Sequence, residues 1–586
     1  MSIPPPPSQP PSGGFGAPQD PPPGGFGAPQ DPPPGGFGAP VPPSGPAAPQ
    51  AGPPQQQPPA AYGYPQTGPG YGYPETGPGY GYPQQPGTPS PYGAPGAPVP
   101  APHPPAPAAG NAKRTQLTIV GAAVLAIALI VGGGLWYTSG DGGGNEADGN
   151  PSASPGNDKP QDYVPGTEKV PGNPKSKPLL NLPSPVPTDV ASVAGSWLTD
   201  STYVKTDLAK VVGYNLVDGG KKWELPFPGE VCGATKHVSE NKTAVIFKPT
   251  QPTPENRAVP CSEVGVIDLE SGKLVWSGNA KSATGGDRPV AFSAVTLSGK
   301  TVAAAGVSGG GAAWSLTDGK SLWLPKVDAE GCRDVGYGGG EALAAIRKCG
   351  QSPNYTLYGQ LLDPTTGAPT ASYKLSQGIE DANIVATKPL IVAANVGKTA
   401  KNGAGVSDLF VLDPKGELKA RIPLASGDFG AKCGSEVEEC SNMVVGNGKL
   451  YLPSYEHQGQ VSGGRTNELL SFDLETGKQT TDRADAGERF TMSPLRMDGS
   501  NIIAYKFPPY DKGGQIVSID GRTMKETVLM VNPEDKANHR IETSFSFDHS
   551  EYRFRNGKFF ISRTIASKPW GESADQDYLF ASYSAS

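Results

Sequence analysis

Up to Asn111 the chain has no lysine or arginine, only three acidic residues (Asp20, Asp31 and Glu75) and almost no aliphatic side chains. A segment with so little apolar surface cannot offset the entropy of ordering a backbone, so no folded domain is expected there. Histidine is scarce throughout: His103, His237, His457, His539 and His549 are the only five, and none falls in an HExxH or similar metal-binding spacing. No two of the six cysteines adjoin, and none lie two to four residues apart, which speaks against a structural zinc site. There is no GxSxG elbow with supporting triad partners, no GxxxxGK[ST] phosphate loop and no protein-kinase signature set. Glu456–His457 is the nearest approach to an acid–base pair, and an ordinary surface loop is the plainer reading of it. After Gly140 there are 46 Lys and Arg against 52 Asp and Glu, so the broad positive field needed to bind nucleic acid is missing as well.

Glycine and proline, in contrast, are abundant, with 80 and 68 residues, and they concentrate early. GGFGAPQDPPP recurs every eleven residues from Gly13, and a GYGYP unit recurs every nine from Tyr62, with aromatics at Tyr71/Tyr73 and Tyr80/Tyr82. Proline favours polyproline II while glycine loosens the joints, so residues 1–112 are expected to form a disordered tail. The tail reads either as a spacer or as a multivalent Tyr/Phe ligand for a cytoplasmic partner.

Residues 117–137, LTIVGAAVLAIALIVGGGLWY, form the one long uncharged apolar run. At about 1.5 Å per residue a helix of this length would span roughly 30 Å, enough for a hydrocarbon core. Lys113 and Arg114 precede the run and Asp141, Glu146 and Asp148 follow it, which predicts a signal anchor over 113–139. In that topology the bilayer is a partner, the N terminus is cytoplasmic, and residues 140–189 form a flexible linker to an extracytoplasmic domain. All six cysteines follow the run, and local order favours pairing Cys232 with Cys261, Cys332 with Cys349, and Cys433 with Cys440, among other pairings that stay open.

The rest of the chain repeats one unit. EVGVIDLESGKLVW places a strand before Asp268, a turn at Gly272 and a return strand ending at Trp276. VVGYNLVDGGKKW (Asp218, Trp223) and GGAAWSLTDGKSLW (Asp318, Gly319, Trp323) are further copies, with weaker ones around Asp363, Asp413, Asp473 with Gly477, and Asp520. Intervals of 45 to 60 residues between these acids suit four short antiparallel strands per unit, the size of a propeller blade. The expected fold class is therefore all-β, a β-propeller over 190–586. Eight blades are favoured over seven, with a strand from just before Trp197 completing the last sheet. In each turn the acid would accept backbone N–H groups, the glycine would take a conformation closed to other residues, and the Trp would cover the join between sheets.

The motifs SGKLVW, DGGKKW, DGKSLW and ETGK resemble repeats of the pyrroloquinoline-quinone type of β-propeller, over about residues 190–586. The layout of tail, single anchor and propeller is similar to that of membrane proteins of actinobacteria. The resemblance implies the fold more than a chemistry, because it embraces quinone dehydrogenases as well as scaffold propellers such as the lipoprotein of outer-membrane protein assembly. The dehydrogenases use a disulfide between adjacent cysteines, which this chain lacks, so no pyrroloquinoline quinone or other cofactor, no metal and no catalytic residue is expected. The expected function is non-catalytic binding of an envelope protein, peptide, glycan or small ligand by a membrane-anchored propeller acting as scaffold or sensor. A propeller enzyme acting on a small molecule or glycan is the alternative.

Overall fold

The computed structural model describes residues 163–585, apart from 307, 402, 404, 462–463 and 569–576. The predicted tail and the predicted anchor at 117–137 lie outside the described residues. The membrane assignment is corrected on the following finding: among the described residues no helix is long and apolar enough to cross a membrane. The single-pass anchor, the bilayer as partner, and the placement of a cytoplasmic N terminus opposite an extracytoplasmic propeller are therefore not carried forward.

Eight four-stranded antiparallel sheets follow one another along the chain. Blades 1 to 7 occupy 196–226, 231–278, 294–323, 333–374, 382–423, 444–485 and 491–531, and in each the first strand is innermost and the fourth outermost. Blade 8 takes its three inner strands from Ser550–Arg555, Lys558–Arg563 and Tyr578–Ala585, and its outer strand from Ser176–Pro183. The ring is thus closed by hydrogen bonds between the two ends of the domain, which leaves no open sheet face at the join. The closing strand lies within the stretch read from sequence as linker. Residues ahead of it are also tied down: Asp498 accepts the N–H groups of Thr167 and Glu168, and Ser500 and Val164 exchange hydrogen bonds.

The buried apolar residues of the described chain fall into eight clusters, one in each gap between consecutive blades. This accounts for the strand sequences. A second strand such as Lys242–Phe247 is sandwiched between two neighbouring sheets and is apolar on both faces, whereas an outer strand such as Leu418–Pro423 alternates exposed and buried positions. The gap between blades 8 and 1 is as well filled as the others. Tyr203 stacks on Phe560 with ring centroids 3.8 Å apart, and the fully buried Lys205 reaches Glu551 at 3.2 Å and the carbonyl oxygens of Val193 and Arg563. Taking the Lys205 ammonium out of water lowers its pKa, and Glu551 opposes that shift.

Candidate functional site

The antiparallel order gives the ring two unlike ends. Turns between first and second strands and between third and fourth strands lie at one end and are short, the longest being 235–241 in blade 2. Connections between second and third strands, and those between blades, lie at the other end and include every long loop.

The residues singled out from sequence sit at the turn end, spread round the ring. Asp268, Asp363, Asp473 and Asp520 each open a turn: a side-chain oxygen accepts the N–H three residues on at 2.8 Å, and the backbone C=O accepts the N–H four residues on at 2.9 Å. Asp413 opens a turn one residue shorter, in which its side chain accepts the N–H groups of Lys415 and Glu417 and its C=O accepts that of Gly416. Asp218 and Asp318 are placed differently. The opening position in their turns belongs to Asn215 and Ser315, while the two acids stand just before the turn glycine and cap only the N–H two residues on. A spacing count aligned them with the others because the DG pair is prominent, but the hydrogen-bond register shows a shift of three residues.

The glycine and the tryptophan belong to one contact between blades. Gly272 has φ +68°, and a Cβ there would lie 2.2 Å from the Trp223 ring of the preceding blade. Gly319 meets Trp276 and Gly367 meets Trp323 in the same way, and in later blades Gly416 and Gly477 meet the outer-strand backbone at Ser372 and Arg421. Trp276 also donates its indole N–H to Leu316 O at 2.9 Å. These positions join blades. The disulfides are Cys232–Cys261, Cys332–Cys349 and Cys433–Cys440.

A cavity of about 940 Å³ opens at the loop end over blades 6 to 8. Phe507, Phe545, Phe547 and Met492 supply apolar surface, while Asn442, Asn467 and Ser454 supply polar groups. One wall is the hairpin that carries Glu456 and His457. Glu468, almost fully buried, holds that hairpin by accepting from Ser454 Oγ, His457 Nε2 and Arg483, each at 2.7 Å. Hydrogen bonds to Gln458 O and to Glu468 raise the pKa of His457, which makes it a brace for the loop. The opposite wall is the helix Lys536–Thr543, capped by Asp535 and pinned through the buried Glu542, which accepts from Tyr505 Oη, Asn532 and Gly514 N–H. Lys432 and Asp548 pair at 2.8 Å between the two connections that flank the cavity. None of these residues carries a repeat signal, so sequence reasoning had no means of assembling them.

The axis itself is partly filled. The loop closed by Cys433–Cys440 enters it from the connection between blades 5 and 6. Glu438 accepts from His237 Nε2 at 2.6 Å, Thr296 Oγ1 at 2.7 Å and Gly339 N–H at 3.0 Å, which come from blades 2, 3 and 4. One carboxylate can touch three consecutive blades only from the central channel. Glu436 accepts from Ser293 Oγ, Asn383 donates to the Gly434 and Glu436 carbonyls, and Val437 packs where a side chain on Gly336 would stand. Burial alone would raise the Glu438 pKa, but Lys236, His237 and Thr296 push it down to about 2.

A family model described as "Outer membrane protein assembly factor BamB" matches residues 260–526. No curated protein matches the chain. Among solved structures, the computationally designed protein Ika8 is 10% identical, with TM-score 0.38 over 70% of this chain and 99% of its own. BamB from Moraxella catarrhalis is 11% identical, with TM-score 0.32 over 68% and 98%. A quinohemoprotein alcohol dehydrogenase from Comamonas testosteroni is 11% identical, with TM-score 0.38 over 70% and 76%. None of these structural likenesses bears on function. Among the described residues no group of three or more His, Cys, Asp or Glu is placed to hold a metal ion.

Proposed function

We propose that this propeller is a non-catalytic binding module whose loop-end cavity seats an extended segment of a partner protein. The observation that carries the reading is the cavity itself. It is built by connections from blades 5 to 8 over a rigid ring, has aromatic side chains in its walls, is braced by ion pairs, and carries exposed polar side chains such as Arg465 and Thr543 at its rim. Such a mixture suits a peptide that inserts an apolar side chain while its backbone is hydrogen-bonded. The match of residues 260–526 to an assembly-factor family, together with the absence of a metal cluster among the described residues, supports a non-enzymatic interpretation. The filling of the axis by residues 434–439 supports the view that no quinone is bound there.

The test is differential capture by the full chain. Phe547→Glu with Tyr455→Glu, both in the cavity lining, should abolish capture of a defined set of proteins that the wild type retains, while Lys320→Glu at the turn end should leave it unchanged. Equal capture by all three proteins would refute the assignment.

A further inference from the structure

The contacts of Glu438 describe a carboxylate seat that the chain fills with its own side chain. His237, Thr296, the Gly339 N–H and the Lys236 ammonium converge on it, the last at 4.0 Å, and the Glu438 side chain is only 14% exposed. A core built for stability alone would close this space with apolar side chains, because desolvating a charge is costly unless it is well partnered. The seat also has an entrance. Lys236 and His237 line a second cavity of about 770 Å³ at the turn end, whose walls carry Arg496, Arg553 and Arg555. Glu168 occupies Arg496, Glu551 stands 3.6 Å from Arg553 and Asp200 pairs with Arg555, but the Lys236 side chain is 46% exposed and among the described residues has no carboxylate closer than Glu438. The loop that reaches the seat is itself an acidic peptide, Gly434-Ser435-Glu436-Val437-Glu438-Glu439, fixed at both ends by one disulfide.

We infer that the axial seat at Lys236, His237, Thr296 and Gly339 is a binding site for an acidic peptide segment of a partner protein, held closed in cis by Glu438. The loop is a tethered occupant and a competitor. A peptide that enters from the turn end gains the same donors, and the exposed Lys236 ammonium favours acidic sequences over others. The site lies at the opposite end from the cavity of the proposed function, so each can fail without the other.

The probe is a blocked peptide of residues 434–439, titrated calorimetrically at low salt into the full chain. Wild type should bind it weakly, because the seat is filled, and Glu438→Ala should bind it at least tenfold more tightly. Adding Lys236→Ala and His237→Ala to that variant should return affinity to the wild-type level, and raising the salt should weaken binding by the Glu438 variant. If Glu438→Ala loses the native circular dichroism spectrum, Glu438→Ser replaces it in the same comparison, since it likewise withdraws the carboxylate from the seat. The inference is overturned by a folded Glu438 variant that binds the peptide no better than wild type, or one that binds it equally without Lys236 and His237. N-acetylglutamate amide is the last arm: equal affinity for it and for the peptide would mean a free carboxylate ligand and would overturn the assignment to a peptide.

Discussion

Replacing Gly272 by alanine separates two costs that the blade turns combine. The first is conformational: at φ +68° any residue with a Cβ loses about 1 kcal/mol relative to glycine. The second is steric, because the new Cβ would stand 2.2 Å from the Trp223 ring of the preceding blade and must push it out of the gap between blades 1 and 2. Overpacking of this kind costs about 1–3 kcal/mol more, for a total of about 2–4 kcal/mol. Gly299 is the matched control. It also has positive φ, +54°, in a turn, but nothing lies within 4 Å of its would-be Cβ, so Gly299→Ala should lose only the conformational part, about 1 kcal/mol. Equilibrium urea unfolding of the three proteins measures the difference, and Trp223 emission in Gly272→Ala should shift to the red as the ring becomes more exposed. Equal losses at the two positions would refute the claim that turn glycines exist to receive the preceding blade.

Other outcomes follow from the closure and the axial loop. A chain starting at residue 190 lacks the outer strand of blade 8, leaving Tyr578–Ala585 as an open edge, and should aggregate or melt well below a chain starting at 163, as read by light scattering and thermal unfolding. Lys205→Met removes one partner of a buried ion pair and leaves Glu551 with only Arg553 and the Gly195 N–H against it, which should cost about 3 kcal/mol, while Lys205→Met with Glu551→Leu should recover part of it. The folded pKa of Glu438, about 2, lies below its ordinary value of 4.5, so its contribution is present above pH 4.5 and is lost as pH falls toward 2. That contribution is about 3 kcal/mol, so Glu438→Gln should be less stable than wild type at pH 6, and the two curves should converge near pH 2. Parallel curves would rule out the buried carboxylate as their cause.

Much of the architecture could be read along the chain because blades repeat it. The strand–turn–strand unit around Asp268 and Trp276 recurs, and local hydrogen bonds in four residues set its turn whatever the neighbours are. Where that locality failed, the reading failed too: Asp218 and Asp318 stand at the same spacing as the other turn acids but sit three residues out of register. The closing strand Ser176–Pro183 was missed as an element because its partner, Tyr578–Ala585, lies some four hundred residues away and the strand itself carries no repeat signal. Hydropathy alone suggested a membrane span at 117–137, and among the described residues no spanning helix is found.

The candidate sites divide along the same line. Sequence alone determined the repeat and the blade-sized spacing, because each of those rests on contacts within one hairpin or between consecutive ones, whereas the seating of Trp223 on Gly272 came from the structure. Only the tertiary structure decided that Asp428, His457, Phe507 and Phe547 share one cavity, and that Glu438 reaches His237, Thr296 and Gly339 across the axis. The reason is geometric. A ring carries residues far apart in sequence to a common centre, and no periodicity along the chain records which side chains meet there.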